Sequence, residues 1–125
     1  MKNILMVGFI FMFGIFGCSS NSLEDLKVLG TDEFSKDGWM NASQREKGKM
    51  VFSLLRKYDV TNMKVEEVQS LLGGSTAYYE YDEFPAYLVG PENIESEYGD
   101  GYLLAFPFDR KTGMIRKYII HPKPK

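Results

Sequence analysis

The chain of 125 residues contains one cysteine and one histidine. A lone cysteine excludes an internal disulfide framework, and with a lone histidine it cannot assemble a Cys/His zinc site or most nucleophilic triads. An excess of positive charge is also missing, since 15 Lys and Arg against 17 Asp and Glu leave a net charge of −2. The phosphate-collecting surface of a nucleic-acid binder is therefore not expected. No apolar run reaches the roughly 20 residues that a spanning helix needs, and no internal repeat or low-complexity tract is visible. What remains is a composition of 44% hydrophobic and 26% charged residues, that of a single globular domain.

The N-terminus carries the clearest signal. Met1-Lys2-Asn3 is short and positively charged, and the uncharged stretch from Ile4 to Gly17 has the length of a secretory signal core. It ends in Ile15-Phe16-Gly17-Cys18, which resembles the lipobox of bacterial lipoproteins. That resemblance implies acylation of the Cys18 thiol with a fatty acid such as palmitate, cleavage before Cys18 and acylation of the new amino group. Several chains are needed because each buried CH₂ contributes about 0.8 kcal/mol, so a single chain holds only marginally. A free Cys18 behind an ordinary cleavage site, or an uncleaved apolar terminus, is the alternative. Ser19 after the cysteine resembles the outer-membrane sorting class, which implies the periplasmic face of the outer membrane in a Gram-negative cell. In a Gram-positive cell the same signal implies the outer face of the plasma membrane.

Residues 1–17 are thus expected as signal peptide, 18–40 as lipidated tether and 41–125 as the domain. The tether is polar with mixed charge and reads as a flexible stalk with a few contacts, the alternative being a short helical turn at Leu23, Leu26, Val28 and Leu29. Ser43-Gln44-Arg45-Glu46 has the form of a capping box opening a helix to about Tyr58. Its apolar stripe is Met50, Val51, Leu54, Leu55 and Tyr58, while Arg45, Lys47, Lys49, Arg56 and Lys57 face water. A second helix is expected over Val65–Leu72, with Glu66 and Glu67 at the positive end of its dipole and Gly73 as its stop. Aromatic and β-branched runs then predict strands at 76–81, 86–89, 102–108 and 114–120, the last two joined by the polar loop Asp109–Gly113. The order predicts an α+β fold, with two helices packed on one face of a three- to four-stranded antiparallel sheet.

The segment Asn62-Met63-Lys64-Val65-Glu66-Glu67-Val68-Gln69-Ser70-Leu71-Leu72-Gly73 is similar to the helix motif of the BamE (SmpA/OmlA) lipoproteins. Tyr87-Leu88, Leu104-Ala105-Phe106-Pro107-Phe108 and Gly113-Met114-Ile115 agree with that family in order. Asn62, Lys64 and Ser75 depart from its usual glycine, threonine and proline. The resemblance implies a non-enzymatic subunit that binds protein partners during outer-membrane assembly, within a superfamily that also resembles β-lactamase-inhibitor modules. The motif describes packing and names no chemistry.

No catalytic residue, metal or cofactor is expected. His121 stands before Pro122 at the end of the last strand and reads as a surface residue. Glu92, Glu95, Glu97 and Asp100 match no calcium-loop spacing and read as a solvated acidic loop. Charge is nevertheless lopsided: from Met63 through Asp109 there are ten acidic residues and one basic, and beyond Asp109 six basic and no acidic. Pairing of the two within the sheet is one expectation and a patch for a partner the other. Tyr78, Tyr79, Tyr81 and Tyr87 on neighbouring strands, together with the four acidic residues, form the candidate partner surface. The expected partner is an outer-membrane assembly component. The alternative is an immunity or inhibitor lipoprotein whose acidic loop plugs a toxin-like enzyme.

Overall fold

The computed structural model describes residues 23–124. The signal-peptide expectation, with Ile15, Phe16, Gly17 and Cys18, lies outside the described residues. A 3₁₀ turn at Leu23–Leu29 leads to helices α1 (Lys36–Asn41) and α2 (Gln44–Lys57), and a second 3₁₀ turn at Val60–Asn62 leads to α3 (Val65–Leu72). Five strands follow: β1 (Ala86–Val89), β2 (Glu95–Ser96), β3 (Gly99–Asp100), β4 (Tyr102–Ala105) and β5 (Ile119–His121). The antiparallel sheet has the order β1-β4-β5, and β2 and β3 form a separate two-stranded ribbon. The fold is α+β, with helices packed on a sheet.

Both predicted helices form for the predicted reasons. At the start of α2 the Ser43 hydroxyl accepts from the Glu46 N–H at 3.2 Å, and the Ser43 N–H donates to Glu46 Oε1 at 2.9 Å. These bonds from Ser43 hold the Glu46 carboxyl below its usual range. Met50, Val51, Leu54 and Leu55 are buried as the stripe requires, but so are Phe52 and Ser53. The extra burial arises because the 3₁₀ turn at Leu23–Leu29 covers a second side of α2. Gly48 permits the close approach of α2 to the end of β1, since a Cβ there would stand 2.5 Å from Gly90 Cα. In α3 the Lys64 N–H donates to Glu67 Oε1 at 2.7 Å, and Gly73, at φ 83°, supplies the turn that ends the helix.

Residues 23–40 correct the tether expectation, because they supply core. Leu26, Phe34 and Trp39 are fully buried and belong to the main apolar cluster. The Phe34 N–H donates to Ser53 Oγ at 2.9 Å, Lys57 Nζ donates to the Phe34 carbonyl at 2.9 Å, and the Asp32 N–H donates to the Lys49 carbonyl at 3.0 Å. Burial of such side chains is worth about 1.5–3 kcal/mol each, enough to hold a polar segment with no apolar period of its own.

The expected strand at 76–81 does not form. Instead the Ser75 and Thr76 hydroxyls accept from the N–H groups of Ala86 and Leu88, both at 3.0 Å. The Ala86 carbonyl accepts from the N–H groups of Thr76 and Ala77, at 2.9 and 3.1 Å. The segment therefore covers the β1 edge through side chains as much as backbone, which protects that edge from pairing with another chain. The expected strand 114–120 is broken as well. Phe108 faces Ile115 and Ala105 faces Ile119, so the later strand carries one residue more than its partner between these pairs. That is the count of a β-bulge over 116–118. Pro107 tolerates the disruption: it has no N–H to place, and its carbonyl accepts from the Arg116 N–H at 2.9 Å.

Strand alternation sorts the sheet into two faces. Tyr87, Val89, Tyr102, Leu104 and Ile120 pack toward the helices. Ala86, Leu103 and Ala105 point the other way with their β5 neighbour Ile119 and are also buried, beneath Ala77, Tyr79 and Tyr98. The face opposite the helices is thus roofed by residues of the 75–84 loop and the β2–β3 ribbon, and the surface available to a partner is the roof.

Candidate interaction surface

The 75–84 loop is built around Glu80, which has a positive φ of 57°. The Tyr81 N–H donates to the Tyr79 carbonyl at 2.5 Å, and this bond spanning two residues defines a γ-turn. With positive φ at a residue that has a Cβ, such a turn is rare and strained. The Tyr78 hydroxyl donates to the Glu80 carbonyl and braces it. Tyr78, just before the turn, and Tyr81, its last residue, project into solvent, 54% and 49% exposed. Tyr79 points inward instead: its ring lies 5.9 Å from that of Tyr98, and partial burial, followed by the neighbouring Glu80, raises its phenol above the ordinary range.

Tyr87 leaves the candidate surface. It is 1% exposed, its hydroxyl donates to the Gly73 carbonyl at 2.7 Å, and its ring stands edge-on to Trp39 and Phe106. Burial pushes its phenol up to about 12. The physical reason is parity: Tyr87 occupies the helix-facing position of β1, where an aromatic ring completes the core.

The four acidic residues divide into two places. Glu92 is turned toward α2, where Arg45 Nη2 lies 3.7 Å from Glu92 Oε1. Glu95, Glu97 and Asp100 are exposed on the ribbon. Glu95 is directly opposite Asp100 in the pairing, and neither has an ion-pair partner among the described residues. Like charges facing across a ribbon oppose its formation. Glu97 lies 3.8 Å from His121 Nε2, and the His121 ring is edge-on to Tyr98 at 5.5 Å. Among the described residues no group of three or more His, Cys, Asp or Glu is placed to hold a metal ion. Every buried side-chain nitrogen and oxygen among them has a hydrogen-bond partner.

A second feature, legible in the sequence only as the basic run beyond Asp109, adjoins Tyr81. The Asp109–Gly113 loop closes with Gly113 at φ 77° and the Gly113 N–H donating to the Asp109 carbonyl at 2.6 Å. It carries the Arg110 guanidinium to 4.3 Å above the Tyr81 ring, where Arg110 also pairs with Glu83 at 2.6 Å. Beneath lie Phe84 and Phe108, each of Tyr81 and Phe108 edge-on to Phe84 at 5.3 Å. A cleft of about 490 Å³ opens here, with Lys111 and Arg116 on its margin. The Lys and Arg residues beyond Asp109 therefore meet the acidic population at one ion pair among the described residues, Glu83 with Arg110, apart from the contact of His121 with Glu97. The ribbon stays acidic and the hairpin basic.

No protein-family model, no curated protein and no solved structure matches this chain. The arrangement offers contact area and charge: two exposed phenols on a strained turn, unpaired carboxylates on one side and a cationic aromatic cleft on the other. Among the described residues no helix is long and apolar enough to cross a membrane.

Proposed function

We propose that this chain is a lipid-anchored interaction module of the bacterial cell envelope, held at the membrane through Cys18 and binding a protein partner with its roof loop. The observation that carries the reading is the γ-turn at Glu80, which presents Tyr78 and Tyr81 to solvent at a cost in backbone strain. A loop whose task was merely to cover the sheet would be satisfied by inward residues such as Tyr79. Strain retained where two aromatic rings are displayed is the pattern of a recognition surface. The similarity of residues 62–73 to the BamE helix motif supports an outer-membrane assembly component as the partner, and the signal peptide with Ser19 supports the periplasmic face of the outer membrane.

One observation favours a second reading. Glu95 and Asp100 face each other without a cation, and a positively charged partner site would relieve their repulsion, as an immunity or inhibitor lipoprotein does on a toxin-like enzyme. The two readings separate on affinity capture from solubilised membranes with the wild-type chain and with Tyr78→Ala/Tyr81→Ala. The assembly reading expects resident outer-membrane proteins that are lost in the double variant. Capture of no resident protein, with tight binding of one supplied secreted enzyme that Glu95→Lys abolishes, overturns it in favour of the second.

A further inference from the structure

We infer that the cleft lined by Phe84, Phe108, Asp109 and the cations Arg110, Lys111 and Arg116 beside Tyr81 receives an acidic segment of a partner protein, with carboxylates flanking an aromatic or aliphatic side chain. This inference rests on the interaction-module reading and adds the chemistry of what is recognised. The rings of Tyr81 and Phe108, both edge-on to the buried Phe84, form an apolar wall on which a side chain can settle, and edge-to-face contacts of this kind fix ring positions. Around them stand three cations of unequal freedom. Arg110 is stacked on Tyr81 and already holds a carboxylate, that of Glu83. Lys111 and Arg116 are exposed and have no acidic partner among the described residues. The protein's own Glu83 thus displays the kind of group the cleft binds, and two further cations remain for the carboxylates of a guest.

The depression is open to solvent along its length rather than enclosed, which suits a short run of side chains laid across it. A nucleic acid is disfavoured by the net charge of −2. A flat anionic bilayer is the other surface that cations with aromatics can meet. It is the poorer fit because Glu83 and Asp109 are exposed beside the same cations and would be pressed against the lipid phosphates. A narrow acidic peptide reaches Lys111 and Arg116 without covering Glu83, and the one carboxylate it meets in the cleft, Asp109, already accepts from the Lys111 N–H at 2.8 Å.

The test uses the full chain in neutral detergent micelles, with NMR mapping of amide shifts during titration by the peptide Gly-Asp-Glu-Phe-Glu-Asp-Gly. Saturable shifts at Phe108, Lys111 and Arg116 are expected, weakened by added salt and reduced about tenfold in affinity by Lys111→Glu/Arg116→Glu. Replacing the peptide's acidic residues with lysine should abolish them. Absence of shifts at these residues, or binding that the double variant leaves unchanged, overturns the inference. So does a response to vesicles of phosphatidylglycerol that neither phosphatidylcholine vesicles nor the peptide produce, which would assign the cleft to an anionic membrane. Capture of resident membrane proteins by wild type and by Lys111→Glu/Arg116→Glu alike would remove the cleft from recognition while leaving the module reading standing. Loss of capture in neither Tyr78→Ala/Tyr81→Ala nor the cleft variant would count against both.

Discussion

The indole Nε1 of Trp39 donates to the backbone carbonyl of Leu72 at 3.1 Å, joining α1 to the last turn of α3 inside the core. This bond makes residues 23–40 part of the folding unit. Trp39→Phe removes the donor, leaves the Leu72 carbonyl without a partner in a buried site and opens a small cavity. It should destabilise the protein by about 2–4 kcal/mol. Denaturant unfolding checks this: a lower midpoint at unchanged slope is expected, whereas an unchanged midpoint would return the segment to a tether.

Elements with a local physical signature were legible in the sequence, and those that depend on distant partners were not. The Ser43–Glu46 box and the Gly73 stop bound α2 and α3 because each is satisfied within a single turn of chain. Leu26 was legible only as part of a short helical turn, which forms over Leu23–Leu29, while Phe34 and Trp39 gave no signal, since single apolar residues in a polar run acquire meaning only against α2 and α3. Aromatic residues at 76–81 suggested a strand, but hydroxyl docking on β1 and the turn at Glu80 override that propensity. The parity of Tyr87 could not be read without knowing which face the helices cover. The basic run beyond Asp109 was visible as charge, while the rings of Phe84 and Phe108 that make it a cleft come together only in the fold.

The Glu80 turn makes a prediction of opposite sign for stability and binding. Glu80→Gly removes the Cβ that makes φ 57° costly and should raise stability by about 1 kcal/mol. The looser turn should at the same time reduce partner capture. Thermal unfolding with affinity capture measures both, and a loss of stability would show that the turn is unstrained.

Tyr87 sets an alkaline limit. Its folded value is raised from 10.0 to about 12 by burial, so the folded state retains a proton that the unfolded chain releases. Its contribution is complete below pH 10 and is lost as pH rises toward 12. Tyr87→Phe should lose about 1 kcal/mol at neutral pH with the bond to Gly73 and show a shallower decline of stability over that window. A decline as steep as that of wild type would assign the alkaline limit elsewhere.

Glu46 acts at the acid end. Its folded value lies below the ordinary 4.5 because of its bonds to Ser43, so it stabilises the fold above that range and ceases to do so as pH falls through the lowered value. Glu46→Gln should be less stable than wild type at pH 7, with the difference closing on acidification. A difference that is constant with pH would contradict the charge-assisted cap.

The roof loop, proposed as the place where this protein meets its partner, is open to site-specific photo-crosslinking in living cells. A photoreactive residue is placed in turn at Tyr78 and Tyr81, and at the exposed controls Thr61 and Gln69. A discrete protein adduct is expected from Tyr78 and Tyr81 and none from Thr61 or Gln69. Equal adducts at all four positions, or adducts at the two controls alone, would contradict the proposal.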